Sequence, residues 1–223
     1  MTAQWVAGSV RARAMARRRL GAARVRAFMA SASLQDALTT LVNQPYGKDL
    51  RPDQSLPEAQ RVIGDTLLWN LRVLAGWLPP RGAEQLRVLA GWFEIANVDE
   101  QLRRFAGEPA DPPYRLGRLA TAWPRLAATA SPAEIRSVLA TLAWGDPGGE
   151  SPRLIALGMH LAWARRVAAT IRPAAGWVAG AVALLVAVEL FVADRRPPEA
   201  AAEAAASLLG PAPGRSGPTP GGP

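Results

Sequence analysis

The sequence has no cysteine and a single histidine, His160. The absence of cysteine excludes disulfides and thiolate metal sites, and the scarcity of histidine excludes histidine-rich metal sites and leaves little room for a catalytic triad. His160 lies in an apolar helical pattern, LGMHLAW, where we expect a core or groove residue. We therefore predict no catalytic residue, no metal site and no cofactor.

Lysine is nearly absent as well, with Lys48 the only one among 26 basic residues. Against 18 acidic residues, the arginines give a formal net charge of +8. Such a charge suits nucleic acid, anionic lipid headgroups and acidic protein surfaces equally, so charge alone does not choose among them.

The chain of 223 residues contains no alternating strand pattern of useful length, and 49% of its residues are hydrophobic. The sequence predicts an all-α fold, a compact bundle of about seven or eight helices. Helical patterns and N-terminal capping signals place these helices near residues 5–30, 33–43, 56–77, 83–106, 115–128, 132–142, 152–170 and 174–193. The capping signals are serines followed by an acid three residues later, at Ser33, Ser55 and Ser131.

An exact internal echo, LRVLAGW, occurs at 71–77 and again at 86–92. The segment between the copies contains Pro79, Pro80 and Gly82, which favour a turn. We expect the copies to end one helix and begin the next as an antiparallel hairpin.

The predicted first helix contains two arginine stripes separated by apolar strips. Two stripes favour a helix wedged between partners, whereas a helix that binds phosphate or a membrane surface more often gathers its arginines on one face. The candidate interface residues here are Arg11, Arg13, Arg17 and Arg18.

The segment 86–104 reads as one helix with two nearly opposite apolar faces, which predicts that it is covered on both sides. Glu94 and Asn97 lie three residues apart within it and are therefore neighbours. A buried carboxylate or amide without partners costs about 1–3 kcal/mol, so we expect a structural polar pair tied to neighbouring groups.

Residues 174–188 carry no charge, and with residues 190–192 they approach the length that spans a bilayer. Glu189 argues against a membrane span, although a carboxylate near the end of such a run is tolerated close to an interface. After residue 194 the chain becomes rich in alanine, proline and glycine. We predict a helical domain over 1–194 and a disordered tail over 195–223, with a short helix possible at 199–209.

The segment that begins at Glu94 also resembles a known family. Glu94-Ile-Ala-Asn97-Val98, followed by Leu102-Arg103, is similar to the E-x-x-N-[LIV]-x-x-x-[LI]-R pattern of the C subunits of the archaeal and bacterial A/V-type ATPases, the counterparts of the d subunits of eukaryotic V-ATPases. The opening is similar too, with an arginine-containing helix followed by Ser33-Leu34 and a Pro45-Tyr46 turn. The chain resembles a shortened, divergent member in which about one of three helical pseudo-repeats is absent or reduced. Glu189 resembles a second copy of the pattern, in which Val192 replaces the asparagine.

The resemblance implies a non-catalytic coupling subunit that links the central rotor stalk to the membrane rotor ring. Its partners would be the other A/V-type ATPase subunits, with no small-molecule substrate and no nucleic acid, and it would be cytoplasmic and peripheral to the cell membrane. Two alternatives remain from the residues themselves. One is a small helical protein anchored by insertion of residues 174–193, and the other is a basic binding module that uses the helix of Arg11–Arg26.

Overall fold

A computed structural model of the chain describes residues 3–46 and 48–210. Over these residues the protein is helical and contains no β-strand, which confirms the all-α prediction. The helices are α1 Ala3–Arg17, α2 Gly21–Met29, α3 Leu34–Val42, α4 Leu56–Trp77, α5 Pro80–Phe105, α6 Trp123–Leu126, α7 Pro132–Ala140, α8 Pro152–Thr170, α9 Ala175–Ala187 and α10 Glu199–Leu209.

The chain divides into two compact units. Among the described residues, the first unit consists of those up to Glu94 together with Pro113–Thr121, and the second consists of Ile95–Pro112 together with residues 122–210. The division falls within α5, so this helix contributes residues to both units. The helical domain expected over 1–194 contributes residues to both units.

In the first unit, α1 packs on α4 and α2 packs on α3. One core cluster is built from Leu38, Leu41, Leu50 and Ala59, with partly buried apolar side chains around it. In the second unit, α8 packs on α9 and α10, and α6 packs on α7. Eight residues of α8 are buried, which makes this helix the centre of the second unit.

The predicted first helix, 5–30, is in fact two helices. The chain leaves α1 after Arg17 and begins α2 at Gly21, whose φ of 74° is accessible to glycine at little cost. Because the helix breaks, the two arginine stripes do not continue along one axis. Within α1 only Gly8 is buried, and Arg11, Arg13 and Arg17 are exposed, so the expected wedging of this helix between partners is not observed within the unit.

The turn of the predicted hairpin is shorter than expected, because α5 begins at Pro80 rather than near residue 83. A proline is tolerated in the first turn of a helix, where its missing N–H would have no intrahelical partner. The Ala83 N–H donates to the Pro79 carbonyl at 2.9 Å and closes the first turn. A Cβ at Gly82 would lie 3.0 Å from Leu78 Cβ, so the glycine permits this close approach.

The predicted helix at 115–128 is wrong over most of its length. The structure has one 3-10 turn at Gly117–Leu119 and the short α6. Gly117 has a φ of 56°, in the left-handed region, which a continuous α-helix cannot contain. The stretch in between holds Thr121, whose backbone bonds outside any helix.

The capping predictions hold, as Ser33 and Ser131 accept from the N–H groups of Asp36 and Glu134 at 3.1 and 3.2 Å, and Ser55 bonds Glu58. The short helix allowed for at 199–209 is present, and its packing was not expected. The segment at 199–209 forms α10 and packs on α8 and α9 as part of the second unit. Residues 211–223, the rest of the predicted disordered tail, lie outside the described residues.

Candidate functional site

Helix α5 holds the polar pair predicted from the sequence, and both side chains are fully buried. Glu94 and Asn97 are each 0% exposed. Apolar neighbours on two faces of the helix, including Ala90, Ile95 and Val98, are also buried, so the expectation of a doubly covered helix is confirmed. No solvent reaches the carboxylate of Glu94, which excludes direct contact with a dissolved substrate in this conformation.

Within the first unit, Glu94 binds Thr121 through both of its carboxylate oxygens. Oε1 accepts from the Thr121 backbone N–H, and Oε2 accepts from the Thr121 hydroxyl at 2.5 Å. Hydrogen bonds to a charged acceptor are stronger than those between neutral groups. The carboxylate thereby fixes the non-helical segment of chain that precedes α6.

Within the second unit, Gln101 is the buried polar residue that the sequence analysis missed. It is 4% exposed, and its Nε2 lies 3.0 Å from the carbonyl oxygens of both Leu126 and Thr129 and from the Thr129 hydroxyl. These carbonyls lie at the end of α6 and in the turn that follows it, where the Leu126 carbonyl also accepts from the Thr129 N–H and hydroxyl at 3.1 and 2.7 Å. The Gln101 amide adds to these bonds and fixes the end of this short helix.

Glu94, Asn97 and Gln101 follow one another at spacings of three and four residues, which places them along one face of α5. We call these three residues the polar row. The spacing was present in the sequence and could have identified Gln101, because a buried row continues at i+3 and i+7. Thr121 carried no such signal, since its position depends on how the chain returns to α5.

The remaining residues of the family-like pattern divide by exposure. Val98 and Leu102 are buried at 0% and 3%, whereas Arg103 is exposed and lies 3.9 Å from Glu100 in a loose ion pair. A pair at this distance with an exposed guanidinium group contributes little to stability. The pattern therefore marks core positions at Val98 and Leu102 and a surface position at Arg103.

Beside the polar row, Asp99 is partly buried, and this burial raises the pKa of its carboxyl above the ordinary value. His160 and Arg103 oppose the rise in pKa through their charge, and Glu100 adds to it. The Nδ1 of His160 donates to the Ala156 carbonyl at 2.7 Å, one turn back on α8. His160 is half-buried, and this bond ties its ring to its own helix.

The candidate interface residues on α1 are Arg11, Arg13 and Arg17, with Arg18 directly after the helix, and all four are exposed. Glu189 lies elsewhere, in the π-helical turn Val188–Val192 that follows α9. The structure brings Glu189 together with Arg153 of α8, whose Nε donates to it at 2.7 Å. Arg153 was not expected from the sequence, and it explains how a carboxylate is accommodated in so apolar a segment.

Residues Arg172–Val192 form a helical stretch long and apolar enough, by length and composition, to cross a membrane. Only 11% of its most apolar window is buried. A row of large apolar side chains is exposed along it, and we call this row the apolar stripe. The stripe consists of Trp177 (64% exposed), Leu184 (70%), Val188 (50%), Phe191 (84%) and Val192 (79%).

The first unit also contains a groove of about 730 Å³ between α4, α5 and the turn at Gly117–Leu119. Its lining includes Arg72, Arg87 and Arg118. Arg87 pairs with Glu84, and Arg72 and Arg87 donate to backbone carbonyls at 3.4 Å. These two guanidinium groups therefore bind backbone carbonyls in and beside the turn at Gly117–Leu119.

Over residues 3–46 and 48–210, the structure contains no group of three or more His, Cys, Asp or Glu that could hold a metal ion. Comparison of the chain with protein-family models, curated proteins and solved structures finds no significant match.

Proposed function

We propose that this chain is a non-catalytic structural coupling subunit of an A/V-type ATPase, which links the central rotor stalk to the membrane rotor ring. The observation that carries the proposal is the polar row at the family-like pattern. Both polar positions of the pattern are inside the protein, and Glu94 holds a connecting segment rather than facing a cleft. Buried polar residues that hold a connecting segment stabilise the structure, and a coupling subunit depends on a stable structure.

The length of α5 supports a mechanical role. Its 26 residues extend about 39 Å at 1.5 Å per residue, without a break in the helix. The helix buries side chains on two faces, and the bonds of Glu94 and Gln101 brace its C-terminal half. A braced, buried helix resists bending and slipping better than an exposed one, because movement would break charged or fully buried hydrogen bonds.

The proposal includes a place at the cytoplasmic face of the cell membrane, where the chain would bind through partner subunits. It includes no cofactor, no small-molecule substrate and no catalysis by this chain. The exposed arginines of α1 are the proposed contact with those subunits, since charge on an exposed helix is available to steer association.

A gentle pull-down of the tagged protein from its native cells tests the proposal, with the captured proteins identified by mass spectrometry. We expect stalk, ring or catalytic subunits of an A/V-type ATPase to be recovered reproducibly. Their consistent absence, with the protein itself recovered intact and folded, would overturn the coupling role.

A charge-reversal pair sharpens this test at the proposed contact. The double substitution Arg13→Glu with Arg17→Glu is expected to reduce capture of those subunits by at least about tenfold. The glutamates would repel the partner surface that the arginines are proposed to attract. The control is Arg81→Glu with Arg165→Glu, which makes the same change in net charge at two other exposed positions. Equal loss of capture in both variants would show a general charge effect and contradict an interface on α1.

A further inference from the structure

The apolar stripe runs along one side of α9 and the turn after it, and the other side is covered. Val178 and Val182 are 0% and 2% exposed, and α9 packs on both α8 and α10. At about 100° per residue, Glu189 falls on the covered side with these valines, where it meets Arg153. The stripe itself therefore contains no charged or polar side chain.

We propose that the apolar stripe docks on the surface of an anionic lipid bilayer, with α9 lying in the plane of the membrane. The stripe is about 24 Å long from Trp177 to Val192, given a rise of 1.5 Å per residue. An exposed apolar row of this extent marks an interaction site. This inference does not depend on the proposed coupling function.

The charges at the ends of the stripe fit lipid headgroups. Arg172 precedes it, and Arg195 and Arg196 follow it, and all three are exposed. Of the two acidic residues between them, Glu189 is paired on the covered side and Asp194 lies beyond the stripe. Arginines at both ends of an apolar helix can reach lipid phosphates while the apolar side chains enter the acyl region.

The covered side of α9 argues for docking in the plane rather than for a span. A helix that crossed the bilayer would have to leave α8 and α10, and the buried contacts of Val178 and Val182 would be lost. The bond between Arg153 and Glu189 would break as well, leaving a carboxylate in hydrocarbon. Docking through the stripe preserves all of these contacts.

The same charges argue for lipid rather than for a second copy of the chain. Two antiparallel copies that met along the stripe would bring Arg172 of one chain towards Arg195 and Arg196 of the other, at both ends of the contact. Like charges placed opposite one another disfavour association. Anionic headgroups neutralise them instead.

The absence of cysteine allows a direct test with single-cysteine variants of the full chain. Leu184→Cys and Phe191→Cys would each carry an environment-sensitive fluorophore, and Met29→Cys on α2 is the control because Met29 is also exposed, at 78%. With vesicles of phosphatidylethanolamine and phosphatidylglycerol, we expect a blue shift and a several-fold rise in emission at 184 and 191 but not at 29. No change at 184 and 191, or an equal change at all three positions, would overturn the proposal.

Lipid-borne quenchers placed at different depths distinguish docking from spanning. Gly180→Cys adds a third probe, since a Cβ there meets no atom within 4 Å. Docking in the plane predicts the same shallow depth at 180, 184 and 191. A probe at 184 that lies near the bilayer centre, with 191 close to the headgroups, would show a span and overturn docking in the plane.

Partition into the same vesicles gives the energetic test. Leu184→Asp and Phe191→Asp are each expected to weaken binding to the vesicles by at least about tenfold. In each variant a charged side chain replaces an apolar one that would be buried in the bilayer. Met29→Asp is expected to bind as the unaltered chain does. A dimer in the absence of lipid that is lost in Phe191→Asp, together with no vesicle binding by the unaltered chain, would assign the stripe to a second copy and overturn the lipid proposal.

Discussion

Helices α5 and α9 reverse the usual relation between polarity and burial. Helix α5 buries a carboxylate and two amides, Glu94, Asn97 and Gln101, at 4% exposure or less. Helix α9 carries no charge, yet its large side chains Trp177 and Leu184 are mostly exposed. The polar side chains of Glu94 and Gln101 are stabilised by bonds to connecting segments, and the apolar ones lie open because no segment of the described chain covers them.

The comparison teaches that coverage, rather than composition, decides what each helix does. A buried polar group must be satisfied, so it fixes a particular path of the chain around it. An exposed apolar row fixes nothing inside the protein and is available for contacts outside it. Substitutions in the two helices should therefore change different properties, stability for α5 and association for α9.

The largest effect is expected for Glu94→Ala. Loss of the carboxylate leaves the Thr121 N–H and hydroxyl without their acceptor and opens a cavity, which should lower the free energy of unfolding by about 3 kcal/mol. Urea denaturation at neutral pH measures this change. Glu108→Ala, at an exposed position just after the helix, is the control and should stay within about 0.5 kcal/mol.

A double-mutant cycle with Thr121→Val isolates the contact. If Glu94 acts through Thr121, the double variant should be less destabilised than the sum of the single variants, with a coupling of about 1–2 kcal/mol. Additive losses would show that Glu94 does not stabilise the protein through the Thr121 hydroxyl.

A smaller loss is expected for Gln101→Leu, about 1–2 kcal/mol, because the carbonyls of Leu126 and Thr129 each lose the bond from the buried amide. Asn97→Leu should act in the same direction. Gln35→Leu provides the exposed control on α3, and the same denaturation experiment applies. If Asn97→Leu unfolds like the unaltered chain but no longer captures partners, the polar row is part of an interface and the comparison with α9 fails.

Asp99→Asn should stabilise the protein, by less than either loss on the polar row. Burial raises the pKa of the Asp99 carboxyl in the folded protein above its value in the unfolded chain. The protonated carboxyl therefore contributes its full stability below the unfolded-state pKa, and this stability is lost as the pH rises through the folded-state pKa. Asparagine remains neutral, so the gain should be present near pH 7 and should vanish near pH 3. The free energy of unfolding is measured at both pH values, with Asp49→Asn at an exposed position as the control. A gain in Asp99→Asn that did not depend on pH would contradict the prediction.

The smallest effect on stability is expected for Phe191→Asp, in the turn after α9. The side chain is 84% exposed, so the free energy of unfolding should change by no more than about 0.5 kcal/mol. Val182→Ala, on the covered side of α9, should cost about 1–2 kcal/mol. Thermal unfolding of both variants measures this difference. A lower melting temperature for Phe191→Asp than for Val182→Ala would contradict the expected difference between the exposed and covered sides.

The sequence predicted the parts of the fold that depend on local signals. Serine caps and apolar periodicity placed α3, α4, α7 and α8 closely, and the burial of Glu94 followed from the apolar faces around it. The apolar run after residue 174 likewise predicted a helix, seen as α9 and the turn that follows it.

Features that depend on distant partners were not predictable. The apolar residues near 115–128 suggested a helix, but the φ of Gly117 and the hold of Glu94 on Thr121 decide otherwise. Arg153 lies 36 residues before Glu189, and nothing local to either residue indicates the pairing. The packing of α10 on α8 and α9 depends on surface that only the folded second unit presents.

The bonds of the polar row also order the assembly of the chain in time. Glu94 and Thr121 are 27 residues apart, and Gln101 and Thr129 are 28 apart. During synthesis α5 is complete before either threonine leaves the ribosome, so the carboxylate and the amide remain hydrated until the later segment arrives. Closing a loop of this length costs only about 1 kcal/mol more than closing one of ten residues, so the separation along the chain adds little to the entropic cost of forming these bonds.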